Sequence, residues 1–474
     1  MSHFTPQFPD HQLEDHDMRT DTTSWTTTLT AGAVPSATLE VAVNGGAKTG
    51  VRLRGVCYSP QPINGSSSLS PSLGDLFWDN FSGPGYSIDG WSALWQRDLP
   101  QLKALGINTL RVYNMMSRQQ NSDGSWPAPW NSGHKFTHRA FLDLCWENKL
   151  FVLVGVALPQ AMFWKSDYQA DSALTAFWTN VLAETVTELA SHPALIGFVI
   201  ANEVDAANVS YCSATGPTPA CASNAQFWWS QVNTFAGVVK QLAPGKLAGI
   251  ANHDDPFICA NAAAYMATCN NIDFWGVNTY QPASFDPVFR SSGAPGEHRP
   301  GFAGLTGAAR KPVLITEYGF PVTGRPNPCD PSGITVSSAS IQNVATVLEK
   351  MIPLAFAEPL NLGMYYFEYC DELWNQSAYV VDACGATRFV PPNVFTPYGG
   401  PPAAGFPNQF WDQDGFGLYG VARGGTLAPD APIWNGSGYT QGPCLPIDRL
   451  TARTATVTAV STAYAAIAAS AASD

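Results

Sequence analysis

The sequence of 474 residues is poor in charge, because Asp, Glu, Lys and Arg make up only 13% of it. The 24 basic residues are outnumbered by 37 acidic ones, which gives a net charge of −13. A chain without a basic excess is not expected to bind nucleic acid. No apolar run reaches the length needed to span a membrane, and the polar stretch 1–25 lacks the apolar core of a signal peptide.

Several motifs are also missing. The cysteines show no C-x-x-C pair, which argues against a structural zinc site. No G-x-S-x-G elbow follows a predicted strand, which disfavours a Ser-His-Asp hydrolase. The turn at Cys57–Pro60 is not the glycine-rich phosphate turn of a doubly wound open sheet, the second architecture considered. We therefore expect neither a metal nor a cofactor.

Aromatic residues are abundant, with 15 Trp, 16 Tyr and 25 Phe. Together with the low charge, they suit neutral ligands that stack on rings, such as sugars. Ten cysteines favour an extracellular or cell-surface protein, with Cys212–Cys221 and Cys259–Cys269 as candidate small disulfide loops and Cys57 and Cys145 as buried thiols. Five Asn-x-Ser/Thr sequons point the same way, at Asn64, Asn80, Asn208, Asn375 and Asn435.

Apolar strands alternate with helical patterns along most of the chain. Continuous apolar runs are typical of parallel strands that are buried on both faces. Eight strands alternating with helices predict an α/β fold, the (β/α)8 or TIM barrel. The predicted strands are Val51–Tyr58, Ile107–Tyr113, Leu150–Ala157, Leu195–Glu203, Lys246–Asn252, Ile272–Tyr280, Pro312–Gly319 and Leu362–Tyr369.

The rest of the sequence is predicted to decorate the barrel. Leu39–Arg54 reads as an N-terminal hairpin that turns at Asn44-Gly45-Gly46. Long loops rich in Gly, Pro and Ser follow strands one and eight, over residues 60–90 and 370–450. We expect a polar segment with little order over residues 1–36, one catalytic domain over 37–450, and an Ala/Thr-rich stretch over 451–474 that is either an outer helix or a tail.

Two glutamates end predicted strands, Glu203 on strand four and Glu317 on strand seven. In this fold the reactive residues lie at the carboxyl ends of the strands. A retaining glycosidase needs a carboxylate nucleophile and a second carboxyl that protonates the leaving oxygen, about 5–5.5 Å apart against about 6.5–9.5 Å for inversion. We therefore predict that the two side chains meet across the mouth of the barrel.

Neighbouring residues separate the two roles. Tyr280 and Arg111 are expected to favour the ionised form of Glu317, which makes it the nucleophile. Glu203 is then the general acid/base, which starts protonated, and Asn202 is placed to hold a sugar 2-hydroxyl. Other candidate sugar contacts are Tyr58, Trp164 and Glu368, with Trp126, Trp130, Phe163, Trp374 and Trp411 as possible stacking rings. The segment His253-Asp254-Asp255 is predicted to be a polar loop, with the border of a sugar subsite as the alternative.

Three segments carry a family resemblance: Ile196–Val204 (IGFVIANEV), Asp273–Tyr280 (DFWGVNTY) and Val313–Gly319 (VLITEYG). They resemble strands four, six and seven of clan A glycoside hydrolases, which implies a retaining mechanism that uses Glu203 and Glu317. Arg97–Tyr113 and Asn361–Val381 are similar to the β-1,3-glucanosyltransferase family, glycoside hydrolase family 72. That resemblance implies a transglycosylase acting on β-glucan, with an oligosaccharide or polysaccharide as its partner.

Alternatives remain at this point. Phe320-Pro321 stands where that family usually has a cysteine, and the loop after strand one is unlike the family's. Cellulase-like and mannanase-like members of the clan have the same two glutamates, so an endo-β-1,4-glucanase or a mannanase is a second hypothesis. A non-catalytic carbohydrate-binding or structural surface protein is the third. The sequence sets no oligomeric state.

Overall fold

Eight parallel strands close into a barrel in the computed structural model of the protein. The structure describes residues 21–32, 34–59, 88–116, 138–163, 172–205, 219–254, 261–290, 300–324, 335–372, 379–381, 387–389, 405–409, 415–422, 432–434, 439–441 and 449–471. The barrel strands are β4 (Leu53–Cys57), β5 (Thr109–Val112), β6 (Phe151–Gly155), β7 (Leu195–Asn202), β8 (Leu247–Asn252), β9 (Phe274–Asn278), β10 (Val313–Tyr318) and β13 (Asn361–Tyr366). The ring closes because β13 pairs with both β10 and β4.

Helices alternate with these strands. They are α1 (Ile88–Ala104), α2 (Arg139–Glu147), α3 (Ser172–Leu189), α4 (Pro219–Leu242), α5 (Ala262–Met266), α6 (Asp286–Phe289), α7 (Gly301–Gly304), α8 (Ser338–Ala357) and α9 (Thr454–Ala471). Every residue of β5, β8, β9, β10 and β13 is buried, as expected for strands covered by helices outside and side chains inside. The predicted (β/α)8 barrel is confirmed.

Short strands form the decoration. They are β1 (Thr23–Thr30), β2 (Ser36–Val43), β3 (Thr49–Gly50), β11 (Thr323–Gly324), β12 (Thr335–Val336), β14 (Tyr379–Val381), β15 (Thr387–Phe389), β16 (Tyr419–Ala422), β17 (Pro432–Trp434), β18 (Tyr439–Gln441) and β19 (Arg449–Ala452). Strands β2 and β3 form the predicted N-terminal hairpin. Its turn has Asn44 and Gly45 at φ 53° and 66°, the left-handed conformations that a tight hairpin turn requires.

The described part of the segment predicted to have little order, residues 21–32 and 34–36, contains a strand. Thr23–Thr30 forms β1, which pairs along its whole length with β2. The physical reason is alternation: Thr23 and Trp25 are buried while Ser24 is exposed. The indole Nε1–H of Trp25 donates to the carbonyl of Leu195, at the start of β7, at 3.0 Å. The β1–β2 hairpin therefore caps the amino-terminal floor of the barrel.

Replacement of Trp25 with alanine is expected to destabilise the protein by about 3–5 kcal/mol, because it removes a buried ring and leaves a cavity. Denaturant unfolding measures the change. Thr28→Ala is the matched control, since Thr28 is exposed on the same strand, and its effect should stay within about 0.5 kcal/mol. Equal stability of the two variants would mean that the hairpin does not contribute to the barrel.

The C-terminal Ala/Thr-rich stretch is a helix, α9, rather than a tail. Its Tyr464 is fully buried, and the hydroxyl donates to the carbonyl of Gly55 on β4 at 2.8 Å. Just before the helix, Arg453 forms a buried ion pair with Asp371 at 2.6 Å. Because β4 is the first strand of the barrel, α9 packs where the eighth outer helix belongs. None of the helices among the described residues is long and apolar enough to cross a membrane.

The cysteines are partly as predicted. Cys57, Cys145, Cys269 and Cys370 are buried cysteines that form no disulfide. This confirms the prediction for Cys57 and Cys145, whereas a Cys259–Cys269 disulfide is wrong, because the Cys269 thiol donates to the carbonyl of Trp229 at 3.4 Å. Outside the described residues lie Cys212, the side chain of Cys221, Cys259 and the sequon asparagines Asn64, Asn80, Asn208, Asn375 and Asn435.

Candidate active site

Irregular strand pairing marks the two positions where the glutamates stand. The register of β7 against β8 shifts between Val199 and Asn202, directly before Glu203. The register of β10 against β9 shifts between Ile315 and Glu317. Such bulges re-aim a side chain at the rim of a barrel. Glu203 also has φ 50°, a left-handed conformation that is strained for a residue with a side chain and is common at functional sites.

Glu317 is held by three donors. Tyr113 donates its hydroxyl to Oε1 at 2.5 Å, and Tyr280 donates to Oε2 at 2.6 Å. Arg111 donates from Nη1 to Oε1 at 2.9 Å and forms a buried ion pair there. Both oxygens are therefore engaged, and the carboxylate has one defined orientation.

Burial controls the protonation of this group. It raises the pKa of the Tyr113 and Tyr280 hydroxyls well above 10, so both stay protonated and can only donate to Glu317. Burial also raises the pKa of Glu317, against the opposing effects of Arg111 and the two tyrosines. The predicted partners, Arg111 and Tyr280, are thus in contact with Glu317 and favour its ionised form, while the dry surroundings oppose it.

Arg111 connects the two glutamates. From β5 its Nη1 also donates to Oδ1 of Asn278 at 3.2 Å, and its Nη2 donates to Oδ1 of Asn202 at 2.6 Å. Asn278 in turn donates from Nδ2 to Oε1 of Glu203 at 2.9 Å. One hydrogen-bonded network therefore runs from Glu317 through Arg111 and Asn278 to Glu203.

Asn202 has its amide oriented by this network. Its Oδ1 accepts from Arg111 and also from Nδ2 of Asn278 at 3.0 Å. The NH2 group therefore points away from these donors, and the side chain is exposed. An exposed amide donor beside a carboxylate is the geometry that a sugar hydroxyl requires.

Glu203 is the more open of the two acids. Its side chain is 31% exposed, against 6% for Glu317. Oε2 of Glu203 forms an ion pair with Nε2 of His253 at 3.2 Å, and Nδ1 of His253 pairs with Oδ1 of the buried Asp205 at 3.1 Å. The segment His253-Asp254-Asp255 is predicted to be a polar loop, with the border of a subsite as the alternative; its first residue contacts Glu203 directly.

The protonation state expected for Glu203 differs from the prediction. Burial raises its pKa, but the hydrogen bonds and charge of His253, with help from Asn278 and Arg111, lower it below its usual value. The contacts of Glu203 therefore favour its carboxylate form, whereas the prediction has it start protonated. The same contacts favour the protonated form of His253.

Two other predicted contacts, Tyr58 and Phe163, are not at the network. Tyr58 is fully buried, and its hydroxyl donates to Asp98 on α1 at 3.0 Å, so it offers no surface to a sugar in this structure. Phe163 is buried against Phe235, with ring centroids 5.7 Å apart. Outside the described residues lie Trp126, Trp130, Trp164, Trp374 and Trp411.

Glu368 also departs from the prediction of a sugar contact. It follows β13, but only 1% of its surface is exposed. The chain over residues 415–418 covers it, with the N–H of Leu418 donating to the Glu368 carbonyl at 2.9 Å. Burial, reinforced by the charge and the hydrogen bond of Glu372, raises the pKa of Glu368 well above 4.5. This carboxyl is buried, and its surroundings favour its neutral form, so it is not a surface ligand.

Replacement of Glu368 with glutamine is expected to make the protein more stable than wild type, by a margin that grows as the pH rises. Because the folded-state pKa is raised, the neutral carboxyl stabilises the fold fully below the unfolded pKa and loses this contribution as the pH climbs through the folded pKa. Glutamine never ionises, so the unfolding free energy of wild type should fall relative to Glu368→Gln by up to about 1.4 kcal/mol per pH unit in that window.

Denaturant unfolding from pH 4 to 9 measures this difference. Glu349→Gln on the exposed face of α8 is the matched control and should follow the wild-type pH dependence. Parallel curves for wild type and Glu368→Gln would show that Glu368 is ionised in the folded protein.

Tyr113, Asn278 and Asp205 received no role from the sequence, and His253 was considered only as part of a loop that could border a subsite. Tyr113 stands two positions after Arg111, and Asn278 two positions before Tyr280. Since alternate residues of a strand share a face, this spacing was a usable signal for both. No local pattern indicates Asp205 and His253, because they meet only where the ends of β7 and β8 lie side by side.

A closed (β/α)8 barrel with a glutamate at the carboxyl ends of its fourth and seventh strands is the arrangement that the sequence motifs predicted. No protein-family model matches the chain. Individual curated proteins do match, and they are 1,3-beta-glucanosyltransferases. This confirms the resemblance indicated by the sequence motifs.

Two of these relatives cover about half of the chain. The 1,3-beta-glucanosyltransferase of Arthroderma benhamiae is 25% identical over 233 residues, which are 48% of this chain and 35% of that protein. The 1,3-beta-glucanosyltransferase gas1 of Schizosaccharomyces pombe is 25% identical over 275 residues, 56% of this chain and 41% of that protein. The match thus spans less than half the length of either relative.

Solved structures show lower similarity. The β-mannanase of the blue mussel Mytilus edulis is 14% identical, with a TM-score of 0.44 over 73% of this chain and 92% of that one. Saccharomyces cerevisiae Gas2p in complex with laminaripentaose is 16% identical, with a TM-score of 0.37 over 73% of this chain and 63% of that one.

Proposed function

We propose that the protein is a retaining enzyme that cleaves and transfers β-glucan, with Glu317 as nucleophile and Glu203 as general acid/base. The observation that carries the proposal is the asymmetric network at the barrel mouth. Glu317 is buried and accepts from Arg111, Tyr113 and Tyr280. Glu203 is reached through the same network but lies partly open to solvent.

Glycosylation uses this asymmetry. One carboxylate oxygen of Glu317 attacks the anomeric carbon while Glu203 delivers a proton to the departing glycosidic oxygen. The Glu317 charge disappears into the new ester bond, so the positive charge of Arg111 then favours ionised Glu203 alone. The amide of Asn202 donates to the sugar 2-hydroxyl, a contact that strengthens in the transition state.

Release of the sugar reverses the roles. Glu203, now a carboxylate, removes a proton from the incoming hydroxyl as its oxygen attacks the anomeric carbon and the bond to Glu317 breaks. Water gives hydrolysis, whereas the hydroxyl of a second sugar gives transfer. The greater exposure of Glu203 leaves room on its side of the site for a departing chain and an acceptor.

The glycosidic linkage of the proposed substrate is inferred from sequence similarity. Relatives named as 1,3-beta-glucanosyltransferases match 48% and 56% of the chain, which supports β-1,3-glucan as substrate and transfer as the reaction. A polymeric glucan substrate would place the protein outside the cell or at its surface. The shared glutamates of other clan members keep β-1,4-glucan and mannan as competitors that must be assayed.

Two experiments test the proposal. Incubation with laminari-, cello- and manno-oligosaccharides, followed by sizing of the products, should show laminari-oligosaccharides both longer and shorter than the starting chain. An activated 2-fluoro β-glucoside should leave a covalent sugar on Glu317, located by peptide mass spectrometry. Shorter products alone would indicate hydrolysis, and action on cello- or manno-oligosaccharides alone would reassign the substrate. A protein that neither labels nor turns over any of the three is not an enzyme of this class.

A further inference from the structure

His253 joins Glu203 to a buried carboxylate. Its Nε2 lies 3.2 Å from Oε2 of Glu203, and its Nδ1 lies 3.1 Å from Oδ1 of Asp205. All three residues follow the ends of neighbouring strands, β7 and β8. The arrangement places one imidazole between the outer acid of the site and a group that solvent does not reach.

Asp205 fixes the orientation of the ring. It is fully buried, and its two oxygens also accept the backbone N–H of His253, at 3.3 and 3.0 Å. A carboxylate that holds both the backbone and Nδ1–H of a histidine leaves Nε2 as the outward nitrogen. The other oxygen of Glu203 is meanwhile held by Asn278, so the Glu203 carboxyl is positioned from both sides.

The charges around His253 favour its protonated form. The carboxylates of Glu203 and Asp205 contact the His253 ring, and Asp254 is the next residue in the chain. Farther away, Glu317 lies beyond Glu203, and Arg111 is the cation whose charge opposes protonation of the ring. Burial lowers the pKa of His253, but the hydrogen bonds and charges of the two contacting carboxylates outweigh it and raise the pKa to about 10. At neutral pH the Glu203–His253 pair therefore holds one proton, on the imidazole.

We propose that His253, held by Asp205, is a positioning residue for Glu203 and stores at Nε2 the proton that Glu203 delivers to the glycosidic oxygen. The proposal deepens the proposed function and rests on it. During glycosylation the Nε2 proton passes to the Glu203 carboxylate and from there to the leaving oxygen, as the bond from that oxygen to the anomeric carbon breaks. His253 is then neutral, and Glu203 is a carboxylate ready to act as base.

The second half-reaction restores the proton. Glu203 takes it from the attacking hydroxyl as the new bond to the anomeric carbon forms, and the proton returns to Nε2 of His253. One proton leaves the pair and one comes back in each turnover. Since the pair keeps its proton to higher pH than an isolated carboxyl would, the alkaline limb of kcat/KM should belong to the pair rather than to Glu203 alone.

The decisive variant is His253→Gln, which keeps an N–H donor for Glu203 but cannot carry a titrating proton. The alkaline limb of kcat/KM on laminari-oligosaccharides should move to lower pH by about two units. Near pH 10 the rate should fall by about ten- to a hundredfold, and much less on an aryl β-glucoside whose good leaving group needs no acid. Asp205→Asn should shift the limb in the same direction by a smaller amount.

His192→Gln is the matched control. His192 also pairs with an aspartate, Asp143, at 3.1 Å, but it lies before β7, at the floor of the barrel. Its pH profile should keep the wild-type shape. A His253→Gln profile with the wild-type alkaline limb, or a uniform loss at every pH and on both substrates, would overturn the proton store and leave His253 a structural residue.

Histidine NMR separates this proposal from the proposed function. In protein labelled with 15N-histidine, the signal that disappears in His253→Gln should remain that of a protonated ring well above pH 8 in wild type. Titration near 6.5 in an active enzyme would overturn the proton store alone. High titration in a protein that neither labels at Glu317 nor turns over glucan would overturn the proposed function, and with it the catalytic use of the pair.

Discussion

Glu317→Gln is expected to lower kcat/KM for laminari-oligosaccharides by about 10⁴-fold or more, because an amide cannot form the glycosyl ester. The substitution is nearly isosteric, but only one of Tyr113 and Tyr280 keeps an oxygen to which it can donate, because the two hydroxyls donate to different oxygens of Glu317 and the second becomes an NH2 group. Arg111 loses its counter-charge, and breaking a buried ion pair from one side typically costs about 3–5 kcal/mol. Rates should therefore be measured together with the free energy of unfolding, at a temperature well below the thermal unfolding midpoint of the variant.

The control for this variant is Glu349→Gln, the same change on an exposed helix position, which should retain wild-type rates. Mass spectrometry after incubation with the 2-fluoro glucoside supplies a readout that does not depend on rate, since the label at position 317 should be lost. Retention of more than a few per cent of wild-type activity, or labelling elsewhere, would assign the nucleophile to another carboxylate.

Glu203→Ala is expected to show a loss that depends on the leaving group. Removal of a general acid/base costs about 10²–10⁴-fold. The whole loss should appear with laminari-oligosaccharides, whose leaving oxygen needs a proton, and little of it with a dinitrophenyl β-glucoside in the glycosylation step. The side chain is 31% exposed, so its removal leaves space at the cleft for a small anion.

Azide should occupy that space and attack the glycosyl-enzyme. The expected product is a glycosyl azide of β configuration, with a rate that rises with azide concentration, whereas Glu317→Gln should give no β azide. Equal losses on both glucosides, without azide rescue, would mean that position 203 supports the structure of the site rather than proton transfer.

The barrel itself could be predicted because its signal is local. A strand such as Leu247–Asn252 is buried on both faces, so successive residues must be apolar. The resulting apolar run is visible in the sequence without knowledge of which strands pair with it. The same reasoning placed Glu317 at a strand end, since the run Val313–Thr316 (VLIT) is followed directly by Glu317. Strand β1 was missed because its run of threonines reads as polar, although Thr23 and Trp25 are buried.

Burial of polar groups was not predictable in this way. Glu368 stands at a strand end like Glu203 and Glu317, and the sequence treats the three alike. Only the tertiary structure shows that residues 415–418 cover Glu368 and that α1 places Asp98 on the hydroxyl of Tyr58. The difference between a cleft residue and a buried one depends on segments far along the chain.

The sequence by itself determined the strand–helix alternation and the two glutamates at strand ends, because hydrophobic periodicity and residue chemistry are properties of neighbours in the chain. The tertiary structure decided how those glutamates are surrounded. Register shifts in β7 and β10, the left-handed backbone of Glu203 and the contact of His253 with Glu203 and Asp205 arise only when separate strands pair. Charge and proton placement follow from that pairing, since electrostatic interactions depend on distance in space and on burial rather than on separation along the chain.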